Sequence, residues 1–194
     1  MDIKAVVLES AKLLGINEKH DSPGSKDLVA VFEAAATYGS GKVLDTQLNV
    51  GRAYAVLLKT YAKAFSLGKA KDIQTFKDRI TDKNIDLSGL IERKPDDKPA
   101  DVSAAVNKAG IEAGTLDMLI VRCKDATFEA IEADINALNP YLKAGGVIAL
   151  WHGANSQGGA QTATAIKEGK LVGKPSEPVF TSKGPLGVVM FVKQ

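Results

Sequence analysis

Three short stretches carry side chains whose types and spacing could do chemistry. In "GKVLDTQLNVGRAY", residues 41–54, Val43 and Leu44 lead to Asp45, and after five further residues Gly51 opens an apolar-periodic run. A strand that stops at a carboxylate and turns through a loop into a helix suits a small anionic or ribose-bearing ligand above a sheet edge. Gln47 and Leu48 stand where such a loop usually carries small residues. In "LDMLIVRCKD", an apolar run ends in Arg122, Cys123, Lys124 and Asp125. The two cations could clamp a carboxylate or phosphate and lower the pKa of the thiol between them. They would also repel a divalent cation, and Asp125 alone cannot build a metal site. In "GGVIALWHGANSQGG", His152 follows a second apolar run and could take a proton from a substrate hydroxyl. The amides around Gly153, Gly158 and Gly159 could line a substrate pocket or bind an anion. Each feature has a plainer reading: His152 packed beside Trp151, Cys123 an inert small hydrophobe, Arg122 and Lys124 solvated, the glycine loop a flexible connection.

These residues need elements to position them. Ile3, Val6, Val7 and Leu14 fall on one helical face that Gly15 ends, and after a polar loop "KDLVAVFEAAATY" predicts a second helix with Leu28, Val29, Phe32 and Ala36 inward. "KVLD" is the next strand, followed by a helix from Arg52 to Phe65 with Val56, Leu57, Tyr61 and Ala64 as its buried stripe and Gly68 as its stop. Strands are expected at "DIQTF" and "IDLSGLI", and "ERKPDDKPAD", with two prolines and seven charged residues, is an exposed connection. Beyond it the pattern sharpens into helix "ADVSAAVNKAG", strand "LDMLIV", helix "ATFEAIEADINALNPYL" and strand "GGVIAL". Apolar strands alternating with helices specify a parallel sheet covered on both faces, and "EPVFTS" with "GPLGVVMFVKQ" adds an antiparallel hairpin at its edge.

At 194 residues the chain suits one well-buried domain with a helical extension: residues 1–24 as the extension and 25–194 as the α/β domain. Hydrophobic residues at 45% and charged residues at 25% are ordinary for a globular protein, and a formal charge of +2 gives no reason to expect nucleic acid. The single cysteine excludes an intramolecular disulfide and every multi-cysteine metal site. The first fifteen residues lack the basic start and unbroken apolar core of a signal peptide, and no apolar run reaches the roughly 20 residues of a membrane span. The expectation is a cytoplasmic protein.

An α/β sheet with a carboxylate-ended first strand, "YLKAGGVIAL" before a late strand and a terminal hairpin resembles the class I S-adenosylmethionine-dependent methyltransferases, with the small-molecule O-methyltransferases as the nearest branch. The family's "L-K-P-G-G" turn is matched by Leu142, Lys143, Ala144, Gly145 and Gly146 with alanine for proline. "LDMLIV" followed by "FEAIEADI" is similar to its fourth strand and following helix, with Asp134 at an often acidic position. Asp45, Asn49, Val50 and Gly51 match the Asn-x-Gly variant of its first motif, but Gln47 replaces the first glycine. The likeness runs from about Asp27 to the end and is weak between Leu67 and Gly114. It implies a Rossmann-like, mostly parallel sheet and S-adenosylmethionine as cofactor if the protein is active. The implied cofactor contacts are Asp45, Asn49 and Gly51, with Asp78 the nearest candidate for the ribose-binding acid at the end of the second strand. An acceptor would lie over Arg122, Lys124 and His152. Metal-dependent relatives carry acids and a histidine after the fourth and fifth strands; here that edge carries cations, so no metal is expected.

Two functions compete on these residues. One is a methyltransferase-fold protein that has lost its chemistry and binds a small molecule or a protein partner, a homo-oligomer being one form of it. The other is metal-independent methyl transfer to a small molecule, which would depend on positioning, because the cofactor supplies the leaving group. A dinucleotide-dependent dehydrogenase is weaker, since the loop lacks G-x-G-x-x-G.

Overall fold

The computed structural model describes residues 1–15, 23–48, 51–82, 84–182 and 184–194. Helices α1 (Ile3–Leu13) and α2 (Pro23–Ala35) precede strand β1 (Lys42–Asp45). Then follow α3 (Arg52–Thr60), β2 (Lys63–Gly68), α4 (Ala70–Arg79), β3 (Leu90–Glu92), α5 (Pro99–Lys108), β4 (Leu116–Arg122), α6 (Phe128–Leu138), β5 (Leu142–Trp151) and α7 (Gln157–Lys167). Strands β6 (Pro178–Thr181) and β7 (Val189–Val192) end the chain.

The strands form one sheet in the order β3-β2-β1-β4-β5-β7-β6. The first five run parallel, while β7 lies antiparallel to β5 and to β6. The expected terminal hairpin is present, with β7 seated against β5 and β6 outermost. Alternation along β4 sorts its side chains between two cores. Met118 and Ile120 face α1, α2, α3 and α4 through Val7, Phe32, Val56 and Phe76. Leu119 and Val121 face α5, α6 and α7 through Val106, Ile135 and Ile166. Both faces being covered explains why Met118–Val121 of β4 and Val147–Trp151 of β5 read as apolar runs without polar alternation. Among the described residues no helix is long and apolar enough to cross a membrane.

Two expectations fail between Arg52 and Arg79. The helix expected to reach Phe65 stops at Thr60, where the Thr60 hydroxyl donates back to the Val56 carbonyl at 2.9 Å, and Ala64 to Gly68 form a strand buried on both faces. "DIQTF" is consequently the body of helix α4, which exposes most of its length and seats only Phe76 in the core. The strand expected over "IDLSGLI" is confined to Leu90–Glu92.

The chain order reverses between β1 and β4, which lie side by side. Such a reversal opens a crevice beyond the carboxyl ends of the strands, where ligands bind in open α/β sheets. The residues of interest at the ends of β1, β4 and β5 meet at that edge.

Candidate ligand crevice

Strand register builds the centre of the crevice. Asp45 pairs with Ile120 across β1 and β4, so Arg122, two residues on, overhangs the end of β1 on the same face as Asp45. The Arg122 backbone N–H donates to the Thr46 hydroxyl at 3.1 Å, which fixes the overhang. Its guanidinium grips the Asp45 carboxylate with both prongs, Nε to Oδ1 at 2.9 Å and Nη2 to Oδ2 at 2.6 Å. Trp151, opposite Arg122 on β5, lies beneath it with the ring centre 4.2 Å from Cζ. The Asp45 side chain is wholly buried and that of Arg122 is 12% exposed, so the pair is a desolvated, bidentate unit stacked on an aromatic face.

The loop after Asp45 is arranged differently from the expected crowding. Gln47 is exposed, and its N–H donates to Asp45 Oδ1 at 3.2 Å. Positive φ among described non-glycine residues is confined to Asp125, His152 and Val172, so Gln47 carries no left-handed strain. Leu48 points into the core, its N–H donating to the Leu67 carbonyl at 2.7 Å. Arg122, rather than Gln47 or Leu48, occupies the carboxylate. Asn49 lies outside the described residues. Gly51 takes φ +76°, and a Cβ there would stand 2.0 Å from Phe76 Cδ2. That glycine admits a ring of α4 where the sequence suggested the approach of a ligand.

A cavity of about 450 Å³ lies beside the pair, walled by the ends of β1, β2, β3 and β4 and the start of α4. Arg122 and Lys124 both line it, as Gln47 does. At the end of β2 the wall is Gly68 and Lys69. Asp78, expected at a strand end, sits instead near the end of α4, exposed and accepting from Gln74 Nε2 at 2.8 Å. The misplaced second strand carried it there. Arg93 is a functional candidate the sequence did not single out: its guanidinium grips Asp134 of α6 at 2.9 and 2.6 Å, tying the end of β3 to α6 across the cavity wall. A lone arginine inside a run of surface charges gives no signal of such a pair.

His152 follows β5 with φ +63°, its N–H bonded to the Leu186 carbonyl at 2.8 Å and its carbonyl accepting from the Ser156 hydroxyl at 2.8 Å. Partial burial, then Arg122 and Lys124, lower its pKa from 6.5, against smaller opposite effects of Asp125 and Asp27. The folded protein therefore holds the imidazole neutral to a lower pH than the unfolded chain. Stability from this group is complete above about pH 6.5 and is lost as pH falls toward the depressed folded value. His152→Asn, an exchange that tolerates the left-handed backbone, should flatten the loss of stability on acidification below that pH, as read from urea midpoints across the range.

Other candidates resolve into packing. Cys123 is fully buried, and desolvation pushes its thiol up to about 12 despite Arg122, so it is not a thiolate nucleophile. Gly158 and Gly159 are buried too: a Cβ on the first would stand 2.4 Å from the Ala126 carbonyl oxygen, and on the second 2.7 Å from Gly153 Cα. Gly158 lets α7 pack against the loop after β4 and Gly159 lets it close on the loop after β5, where amides open to a ligand were expected. The "LKAGG" turn works at the opposite end of the sheet, where Lys143 pairs with Asp117 and Gly145 turns with φ +75°. Among the described residues no group of three His, Cys, Asp or Glu side chains is placed to hold a metal ion.

No family model matches the chain. No curated protein matches it. Solved structures do match along almost its whole length. An O-methyltransferase from Streptomyces achromogenes, TomG, solved with S-adenosylmethionine, is 13% identical with a TM-score of 0.58 over 100% of this chain and 90% of its own. PaMTH1 of Podospora anserina, a methyltransferase solved with S-adenosylhomocysteine, is 12% identical with a TM-score of 0.60 over 97% and 88%. A methyltransferase from Geobacter sulfurreducens is 10% identical with a TM-score of 0.57 over 98% and 88%. At these identities the likeness is one of fold, and the chain has the class I methyltransferase fold.

Proposed function

We infer that this class I methyltransferase fold serves a binding role and that its crevice no longer carries out methyl transfer. The observation that carries the reading is the buried Asp45–Arg122 pair. A methyl donor brings a sulfonium and an ammonium, and the carboxylate at the end of β1 that would orient the ammonium already holds a guanidinium with both oxygens. Strand β2 ends at Gly68 and is followed by Lys69, so no acid stands at the strand end for a ribose; the nearest carboxylate in sequence on that wall, Asp72, lies in the first turn of α4. The residues present do not fit the cofactor. Residues 25–194 form the domain holding the crevice in this reading, with 1–24 a helical extension whose Ile3, Val7 and Leu13 pack into that domain's core.

The second reading, metal-independent methyl transfer to a small molecule, is favoured by the cavity that remains at the switch point and by a neutral imidazole at His152 on the same edge. Calorimetric titration with S-adenosylmethionine and S-adenosylhomocysteine separates the two. The binding reading expects no saturable heat at millimolar ligand. Saturable binding that Asp45→Ala abolishes would replace it with the methyltransferase reading.

A further inference from the structure

We propose that the crevice is an anion site that takes a phosphate-bearing small molecule of about mononucleotide size. The inference rests on the reading that the methyl donor is excluded, and it names what the same space is built to hold. The wall of the cavity carries five cationic side chains against three carboxylates. Two of the cations are internally neutralised: Arg122 by Asp45 and Arg93 by Asp134. The other three, Lys69, Lys94 and Lys124, make no ion pair among the described residues. They come from three separate elements, the ends of β2, β3 and β4, and converge on one space. Like charges from three elements repel one another unless an anion sits among them, so their convergence costs stability in the empty state and gives affinity in the filled one. Asp72 and Asp125 also line the cavity and partly offset them, leaving an excess of one positive charge after the internal pairs are removed.

The paired arginines contribute geometry as well. Asp45 occupies Nε and Nη2 of Arg122, and Asp134 occupies Nη1 and Nη2 of Arg93, so each guanidinium retains N–H donors on a head already locked by its partner. Donors held rigid in this way lose little entropy on meeting a phosphate oxygen. The first turn of α4 lies on the same wall without a side-chain cap, but Asp72 in that turn offsets the positive end of the helix, so the lysines and the locked arginines carry the field. Leu67, Pro95 and Ala126 supply an apolar side for the organic part of the ligand. A volume of about 450 Å³ exceeds what inorganic phosphate fills and lies within the range of small-molecule sites.

The test is calorimetry with AMP, ADP, inorganic pyrophosphate and S-adenosylhomocysteine, run on the full chain and on the Lys69→Glu/Lys124→Glu variant. Both lysines are exposed, so the variant folds, and its melting temperature without ligand checks this. The expected result is saturable binding of AMP or ADP that weakens at least about tenfold in the variant and falls as salt rises. Binding of pyrophosphate alone would overturn the mononucleotide assignment and leave a site for free phosphates. Nucleotide binding that the charge reversals leave unchanged would overturn the site. Silence from all four ligands would sink this proposal while the closed-crevice reading stood; saturation by S-adenosylhomocysteine alone would sink that reading and this proposal with it.

Discussion

Replacing Arg122 with alanine should cost about 3–5 kcal/mol of folding stability, the range expected when one partner of a buried ion pair is removed. The size follows from what remains. Asp45 is wholly buried and, among the described residues, keeps only the Gln47 N–H at 3.2 Å as a donor once both prongs of the guanidinium are gone. Its negative charge then faces an apolar core of Val43, Leu48 and Ile120. Trp151 also loses the cation stacked on it at 4.2 Å. Urea unfolding of the variant measures the loss. The double variant Asp45→Asn with Arg122→Met should recover most of it, because exchanging a whole buried pair for neutral groups of similar shape is often close to neutral. A loss for Arg122→Ala below about 1 kcal/mol would instead match a solvent-exposed pair. In that case Arg122 swings freely from Asp45, the carboxylate is available to a ligand's ammonium, and the methyltransferase reading regains its main contact.

The parts of this fold that were legible in the sequence are those where both faces of an element are buried. Strands β4 and β5 carry long apolar runs because α1 to α3 cover one side and α5 to α7 the other, and no helical or solvent-facing pattern competes with that signal. The stretch from Arg52 to Phe65 fails for a physical reason as well. Val56, Leu57, Tyr61 and Ala64 keep a helical spacing across the real boundary, and neither glycine nor proline marks the end of α3. The helix ends where Tyr61 turns extended at φ −111°, so that Ala64 to Gly68 can enter the sheet, a change that no residue type at the boundary announces. Losing β2 moved the second strand onto α4 and put the ribose acid at Asp78, on the wrong kind of element. The Asp45–Arg122 pair was hidden for another reason. Both residues were identified as candidates, but their contact spans 77 positions and exists only because β1 lies beside β4 in a register that sets Asp45 against Ile120. Knowing the fold family places the two strands together; only the register shows that one candidate neutralises the other.

Gly51→Ala tests the other half of the loop and should be destabilising by about 2–5 kcal/mol. Two costs combine: about 1–2 kcal/mol for an L-residue held at φ +76°, and about 1–3 kcal/mol for overpacking, since the new methyl would stand 2.0 Å from Phe76 Cδ2. Phe76 has no easy retreat. It is almost fully buried and meets Tyr54 edge-on at 5.5 Å, and Tyr54 is anchored by its hydroxyl to the Ala64 carbonyl at 3.1 Å. Chemical denaturation of Gly51→Ala reads the sum, and Gly51→Ala with Phe76→Leu separates the terms, because removing the ring lifts the clash and leaves the backbone cost. The pair should therefore be non-additive, the double variant losing less than its two single variants together. If Gly51→Ala changes stability by less than about 1 kcal/mol, a shift typical of a surface position, the ring does not fill the space above that glycine. A ligand would then be the reason for the glycine, and the loop would be the open cofactor cradle that the Asn-x-Gly resemblance implies.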